Sequence, residues 1–179
     1  KVWRTYNASN TIQKELNKLN ENKLKDMPEQ ERINYLITFF NQANTTVALL
    51  CNHQKAVTTN IDNVIKKIDD MIKKLRNKKR KINTSKKTKE KKERMSKIDA
   101  KITTLKLKKE TKSKMKNVSL GTSKTNYIDP RIIFTFIKKY KIPEEKLFTK
   151  QLLTRFEWAR KVDSNFNFYS TRVVGDWDG

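Results

Sequence analysis

The side chains able to do chemistry in this sequence are few and stand far apart. Tyr127 offers a phenol, whose oxygen can act as a nucleophile once its proton is lost. Arg4 offers a permanently charged guanidinium fork suited to phosphate or carboxylate. His53, the single histidine, offers an imidazole. Taken one at a time, each has a plainer reading. A lone arginine is a surface or salt-bridge residue, and a histidine near an apolar helix is held by local hydrogen bonds. Tyr127 beside Asp129-Pro130 reads as a capping aromatic. Composition excludes other chemistries. Cys51 is the only cysteine, so there is no internal disulfide and no Cys-based zinc site, which fits a reducing compartment. Three glycines leave no room for a GxGxxG or P-loop cradle, and one histidine cannot form a multi-His metal centre.

The contexts of these residues say more than the residues themselves. The segments are KVWRTYNAS (residues 1–9), VALLCNHQKA (47–56) and LGTSKTNYIDPR (120–131). Together, and in this order, they closely resemble the C-terminal half of the catalytic region of eukaryotic type IB DNA topoisomerases. In that family a basic coiled-coil linker separates the histidine segment from the tyrosine segment, as residues 57–118 do here. KIPEEKLFTKQLLTRFEWA (141–159) resembles the family's C-terminal domain. The resemblance extends to about Arg160, and the tail from Val162 does not follow the family ending.

The resemblance implies that Tyr127 is the nucleophile and that Arg4 and His53 hold the scissile phosphate. Asn126 matches a position beside the active site where camptothecin-type inhibitors are sensed. Lys124 and Arg131 keep the motif without an assigned role. On this reading the phenol displaces a deoxyribose 5′-oxygen and forms a 3′-phosphotyrosine. The bond energy is conserved in the ester, so one strand is cut and resealed without ATP. Arg4 and His53 would stabilise the charge that gathers on the non-bridging oxygens, and losing one such donor costs roughly 3–4 kcal/mol. The side chains supply the positive charge, so no metal or other cofactor is required. The family also uses an arginine and a general-acid lysine upstream of KVWRTYNAS, and Lys1 is no motif match for that lysine. The chain starts at Lys-Val-Trp without Met and reads as a piece of something longer. It is expected to be inactive alone and to need an upstream core, in cis or as a second chain. The implied partner is double-stranded DNA and the implied location is the nucleus.

The elements that must position these residues read as mainly α. Ser9 is expected to cap a helix whose face is Ile12, Leu16 and Leu19. Residues 20–28 read as a loop, and a buried helix follows Pro28, with Leu36, Phe39, Phe40, Ala43, Val47, Leu50 and Cys51 on its apolar stripe. Asp129-Pro130 is a capping pair that opens a helix faced by Ile132, Ile133, Phe136 and Ile137. Pro143 opens a short helix and Thr149 caps another, containing Leu152, Leu153, Phe156 and Ala159. In the tail, Phe166, Phe168, Tyr169 and Trp177 are candidates for packing.

Residues 57–118 read as a helical hairpin. One arm carries Ile61, Val64, Ile65, Ile68, Met71, Ile72 and Leu75, and the other Met95, Ile98, Ile102 and Leu105. These are narrow coiled-coil seams, expected to hide only against each other, with a turn at Asn83-Thr84-Ser85 and a mobile tip. The expected architecture is a helical catalytic subdomain (1–56) and a small helical C-terminal domain (119–179), joined by a long antiparallel coiled coil (57–118).

Charge follows the same division. Between Lys73 and Lys116 there are 21 Lys and Arg against 4 acids, a net of +17 out of the chain's +23. Lys73, Lys74, Lys78, Lys79, Arg80 and Lys81 are the densest run. Aromatic residues are absent there, which suits phosphate contact without base reading. No run reaches the roughly 20 apolar residues of a membrane span, and no signal peptide opens the chain. Two other readings compete: a non-enzymatic, basic coiled-coil protein that binds DNA or RNA, and a tyrosine recombinase, which shares the Arg/His/Tyr chemistry. The long hairpin between His53 and Tyr127 speaks against the second.

Overall fold

The computed structural model describes residues 2–52, 61–83, 89–114 and 119–169. Its regular elements are α1 (Val2–Asn17), α2 (Asn22–Lys25), α3 (Glu29–Leu50), α4 (Ile61–Asn83), α5 (Lys89–Lys114), α6 (Leu120–Asn126), α7 (Pro130–Tyr140) and α8 (Lys150–Arg155). Short 3-10 turns cover Glu144–Lys146 and Glu157–Lys161. No strand occurs among the described residues, and no helix there is long and apolar enough to cross a membrane.

The main core is built from the inner faces of α1, α3 and α7. α3 starts after Pro28 with Glu29 and Glu31 in its first turn, where carboxylates favour the helix dipole. Leu36, Phe40, Ala43 and Val47 recur every three or four residues and are buried. α7 starts as its capping pair dictates: the Asp129 carboxylate accepts the Arg131 N–H at 2.9 Å and Pro130 occupies the first turn. Its face meets α3 through Phe40 and Phe136, with ring centroids 5.9 Å apart. The aromatic packing continues from Phe134 to Phe148 and from Phe148 to Phe156. α7 ends on Lys141 in the left-handed region (φ 52°), and the Ile142 N–H returns to the Ile137 carbonyl. Thr149 caps α8 by accepting the Leu152 N–H.

Several expectations are corrected. Ser9 caps nothing: α1 already begins at Val2, and Ser9 sits in its middle, fully buried. The short helix α2 interrupts the loop expected over 20–28. α6 is a helix that no apolar periodicity announced. Leu50 and Met71 are exposed rather than part of their stripes.

The helices of the expected hairpin run antiparallel, pinned by Lys79 to Asp99 at 2.6 Å and Lys109 to Asp69 at 2.7 Å. Ile68, Ile72, Ile98 and Ile102 are buried between them. The Lys91 ammonium, itself buried, donates to the Asn83 carbonyl at the C-terminus of α4. The arms do not hide only against each other, because α5 also packs along α3. Ser96 donates its hydroxyl proton to the Asp26 carbonyl at 2.7 Å, and Lys101 reaches Glu31 at 3.6 Å. Leu107 packs on the main core. The physical reason is that α5 carries apolar residues on two sides, so one seam cannot bury them all. The turn at residues 84–85 and the tip's mobility lie outside the described residues.

The tail does pack. Arg131 stacks over Phe166 at 4.7 Å, Phe168 meets Tyr6 at 5.9 Å, and the Tyr169 hydroxyl donates to the Asn10 carbonyl. Trp177 lies outside the described residues.

Candidate active site

The site is assembled from the start of α1, the end of α6 and the end of α3. Arg4 stands on the first turn of α1 and is exposed. Tyr127 follows the last residue of α6 and is half-buried. The Arg4 guanidinium lies 5.6 Å from the centre of the Tyr127 ring, although 122 residues separate them in sequence. A hydrogen bond with the Tyr127 side chain, and then the charge the phenol can carry, raise the pKa of Arg4 above its ordinary value. Arg4 also exerts an electrostatic pull on the buried Cys51 thiol, opposing the rise that burial imposes on that group. Cys51, just after α3, thus lies within electrostatic reach of Arg4.

α3 stops there because Asn52 turns into the left-handed region at φ 53°, a conformation asparagine tolerates better than most residues. His53 is the next residue. It lies outside the described residues, so its expected closeness to Arg4 carries no geometry here.

Tertiary anchors hold the tyrosine segment. Asn44, buried on α3, donates its amide to the Leu120 carbonyl at 3.0 Å and fixes the start of α6. Lys124 donates to the Leu147 carbonyl at 2.7 Å, and its burial pushes its pKa down. The Tyr127 and Ile128 N–H groups both return to the Ser123 carbonyl at 3.0 Å, closing the helix. Ser9 receives the Asp129 N–H at 2.9 Å and donates to the Tyr127 carbonyl at 3.4 Å. Asn126 is exposed at the rim. Sequence reasoning missed Ser9 and gave Lys124 no role. The available signal for Ser9 was a hydroxyl on the apolar face shared by Ala8 and Ile12.

The basic run lies elsewhere, on α4. Lys73, Lys74, Lys78, Arg80 and Lys81 are exposed. Lys79 differs: it turns to the edge of the seam, half-buried, and its charge is engaged by Asp99. Among the described residues no group of His, Cys, Asp and Glu could hold a metal ion.

This arrangement defines an all-helical protein in which a guanidinium is set against a phenol. A family model described as the catalytic core of eukaryotic DNA topoisomerase I matches residues 1–88, and one described as the C-terminal topoisomerase domain matches residues 99–168. DNA topoisomerase 1 beta of Arabidopsis thaliana is 36% identical over 194 residues, covering 96% of this chain and 20% of the relative. DNA topoisomerase 1 of Caenorhabditis elegans is 38% identical over 165 residues, covering 89% of the chain and 20% of the relative. The human DNA topoisomerase 1 is 33% identical, covering 94% and 23%. The chain belongs to the eukaryotic type IB DNA topoisomerase I family. It spans about a fifth of the length of the relatives it matches. The family match continues through residue 168, beyond the limit near Arg160 drawn from the sequence.

Proposed function

We propose that this chain supplies the nucleophile-bearing part of a type IB DNA topoisomerase, an isomerase that relaxes supercoiled duplex DNA in the nucleus. The observation that carries the proposal is the pairing of Arg4 with Tyr127 across the fold. A guanidinium that meets the phenol in the free protein stands where it can instead take a non-bridging phosphate oxygen when DNA enters.

The chemistry is a balanced exchange of esters. Tyr127 Oη bonds to phosphorus and its proton passes to solvent. The bond from phosphorus to the 5′-oxygen breaks, and that oxygen takes a proton from the general-acid lysine of the upstream core. Resealing reverses each step, with the 5′-hydroxyl attacking and Tyr127 leaving. Arg4 and His53 hold the non-bridging oxygens as negative charge develops, and Asn126 lies at the edge of the site. An upstream core, in the same polypeptide or as a second chain, supplies the remaining arginine and the lysine.

In this reading residues 1–56 close the catalytic core, 57–118 form a coiled-coil linker and 119–179 form the C-terminal domain. The linker's basic face, with Lys73, Lys74, Lys78, Arg80 and Lys81, meets phosphates downstream of the cut. Lys79 contributes chiefly to the hairpin's own register.

The test is covalent trapping with the upstream core present. Denaturing gels should resolve a protein–DNA adduct linked at the 3′ end. Tyr127→Phe should abolish it while leaving DNA affinity nearly unchanged, because the ring still packs and only the attacking oxygen is gone. An adduct persisting in Tyr127→Phe would assign the nucleophile to another residue.

A further inference from the structure

We infer that Ser9 is a positioning residue that sets the separation between the tyrosine and the guanidinium that binds the phosphate; this rests on the function proposed above. The inference comes from four observations. Ser9 is 0% exposed, in the middle of α1. Its hydroxyl oxygen accepts the Asp129 N–H at 2.9 Å and its proton is donated to the Tyr127 carbonyl at 3.4 Å. Both ends of the Tyr127–Asp129 turn are thus held by one atom. Arg4 stands on the same helix, about 7.5 Å along its axis at 1.5 Å per residue. The helical backbone is continuous from Arg4 to Ser9, so whatever fixes the turn to Ser9 also fixes it relative to the backbone that carries Arg4.

The other hydrogen bonds on the tyrosine turn are of a different kind. The Tyr127 and Ile128 N–H groups bond to Ser123 within their own helix, so they travel with α6 and specify nothing about α1. Asn44 and Lys124 tie α6 to α3 and to the Leu147 carbonyl. Apart from the Arg4–Tyr127 side-chain contact itself, the hydrogen bonds described that join the turn to the helix bearing Arg4 are those of Ser9. The residue type is the economical one. A hydroxyl donates and accepts at once, and it is small enough for a site where α1 lies against the tyrosine turn. Asp129 also caps α7, so the same link ties the capping turn to the core.

The experiment uses the complete enzyme with its upstream core, comparing wild type, Ser9→Ala, Ser9→Cys and Tyr127→Phe. Single-turnover cleavage and resealing are measured beside DNA affinity. In Ser9→Ala both rate constants should fall about 10- to 100-fold, the scale for a small misplacement of a reacting group, while Kd stays within about twofold. Ser9→Cys keeps the shape with weaker and longer hydrogen bonds. It should fold and fall between the two, and it decides the matter if Ser9→Ala does not fold. A double-mutant cycle with Arg4→Lys distinguishes positioning from general loosening. If Ser9 acts through the Arg4–Tyr127 separation, Ser9→Ala should cost less than about threefold once Arg4 is replaced. A folded Ser9 variant that cleaves at the wild-type rate overturns the inference. So does a loss of rate matched by an equal loss of affinity, or one that multiplies fully with Arg4→Lys. An adduct in Tyr127→Phe would instead overturn the function on which the inference rests.

Discussion

In α3 and α7 the buried aliphatic positions are joined by Phe40, Phe134 and Phe136, with Phe40 packed on Phe136 and Phe134 on Phe148, whereas the buried residues between α4 and α5 are four isoleucines. An aromatic side chain buries about 150–250 Å² and stabilises at about 25 cal/mol per Å² removed from water. The hairpin adds ion pairs such as Lys79–Asp99, but partly exposed pairs of this kind contribute about 0–1 kcal/mol each. The two regions are built to different standards. The aromatic region anchors α7, which begins three residues after Tyr127. The α4–α5 pair has a thin seam and a large excess of positive charge. Its own seam should therefore open locally, while α5 keeps its contacts with α3.

That contrast breaks or sharpens under substitution. The largest effect is expected at Phe134, which is fully buried among rings. Phe134→Ala should cost about 3–5 kcal/mol in urea unfolding and take the whole aromatic region with it. Ile98→Ala in the seam should cost about 2 kcal/mol, read chiefly as faster hydrogen exchange in α4 and α5. Equal loss of protection in α7 from both changes would remove the distinction. Next comes charge. Replacing Lys73, Lys74, Lys78, Arg80 and Lys81 by alanine should flatten the dependence of log affinity on log salt by up to about 0.9 for each phosphate no longer neutralised. Cleavage by the complete enzyme should survive. An unchanged salt slope would make the hairpin a solvated spacer.

Two smaller changes probe the aromatic region. Lys141 ends α7 in a left-handed conformation that costs a side-chain-bearing residue about 1 kcal/mol. Lys141→Gly should raise stability by about that amount, measured as a shift of the urea midpoint, with no change at the site. The smallest effect should come from Glu21, which accepts hydrogen bonds from the Tyr140 hydroxyl at 2.7 Å and from Lys139 at 2.9 Å. The Lys139 ammonium first, and the Tyr140 hydroxyl second, hold its carboxyl below the usual glutamate range. A carboxylate depressed by folding stabilises above its ordinary pKa of about 4.3, and that stabilisation is lost as pH falls through the folded value. Glu21→Gln should lower Tm at neutral pH and leave it unchanged below both pKa values.

What was legible in the sequence follows the range of the interactions. Asp129-Pro130, Thr149 and Pro28 announce their helix starts because capping is decided within a few residues. The aromatic stripe of α3 is legible for the same reason. Ser9 reads as a cap in the sequence because its true partners lie 118 and 120 residues away; its place on the face of Ala8 and Ile12 signals burial but names no partner. α6 carries no apolar period; Asn44 and Lys124, through hydrogen bonds that only the fold creates, fix it in place. The second apolar side of α5 is hidden for a similar reason, since the α4 seam accounts for only part of it. At the site, spacing said nothing of the approach of Arg4 to Tyr127. The resemblance of their segments to a known family pointed to both residues, and the fold brings them together.

The attachment of α5 to α3 also has a mechanical side. α5 is held on the α3 side by Ser96, Lys101 and Leu107, supports spread over about 17 Å of helix at 1.5 Å per residue. A rod clamped along such a length cannot pivot at its root. Only the stretch from Lys89 to Ser96, about 10 Å, extends past the last support. A sideways load on that end must bend a paired helix over a short overhang, and it is carried along α5 toward Leu107 and the main core. The helix pair is mounted as a bracket rather than as a hinge.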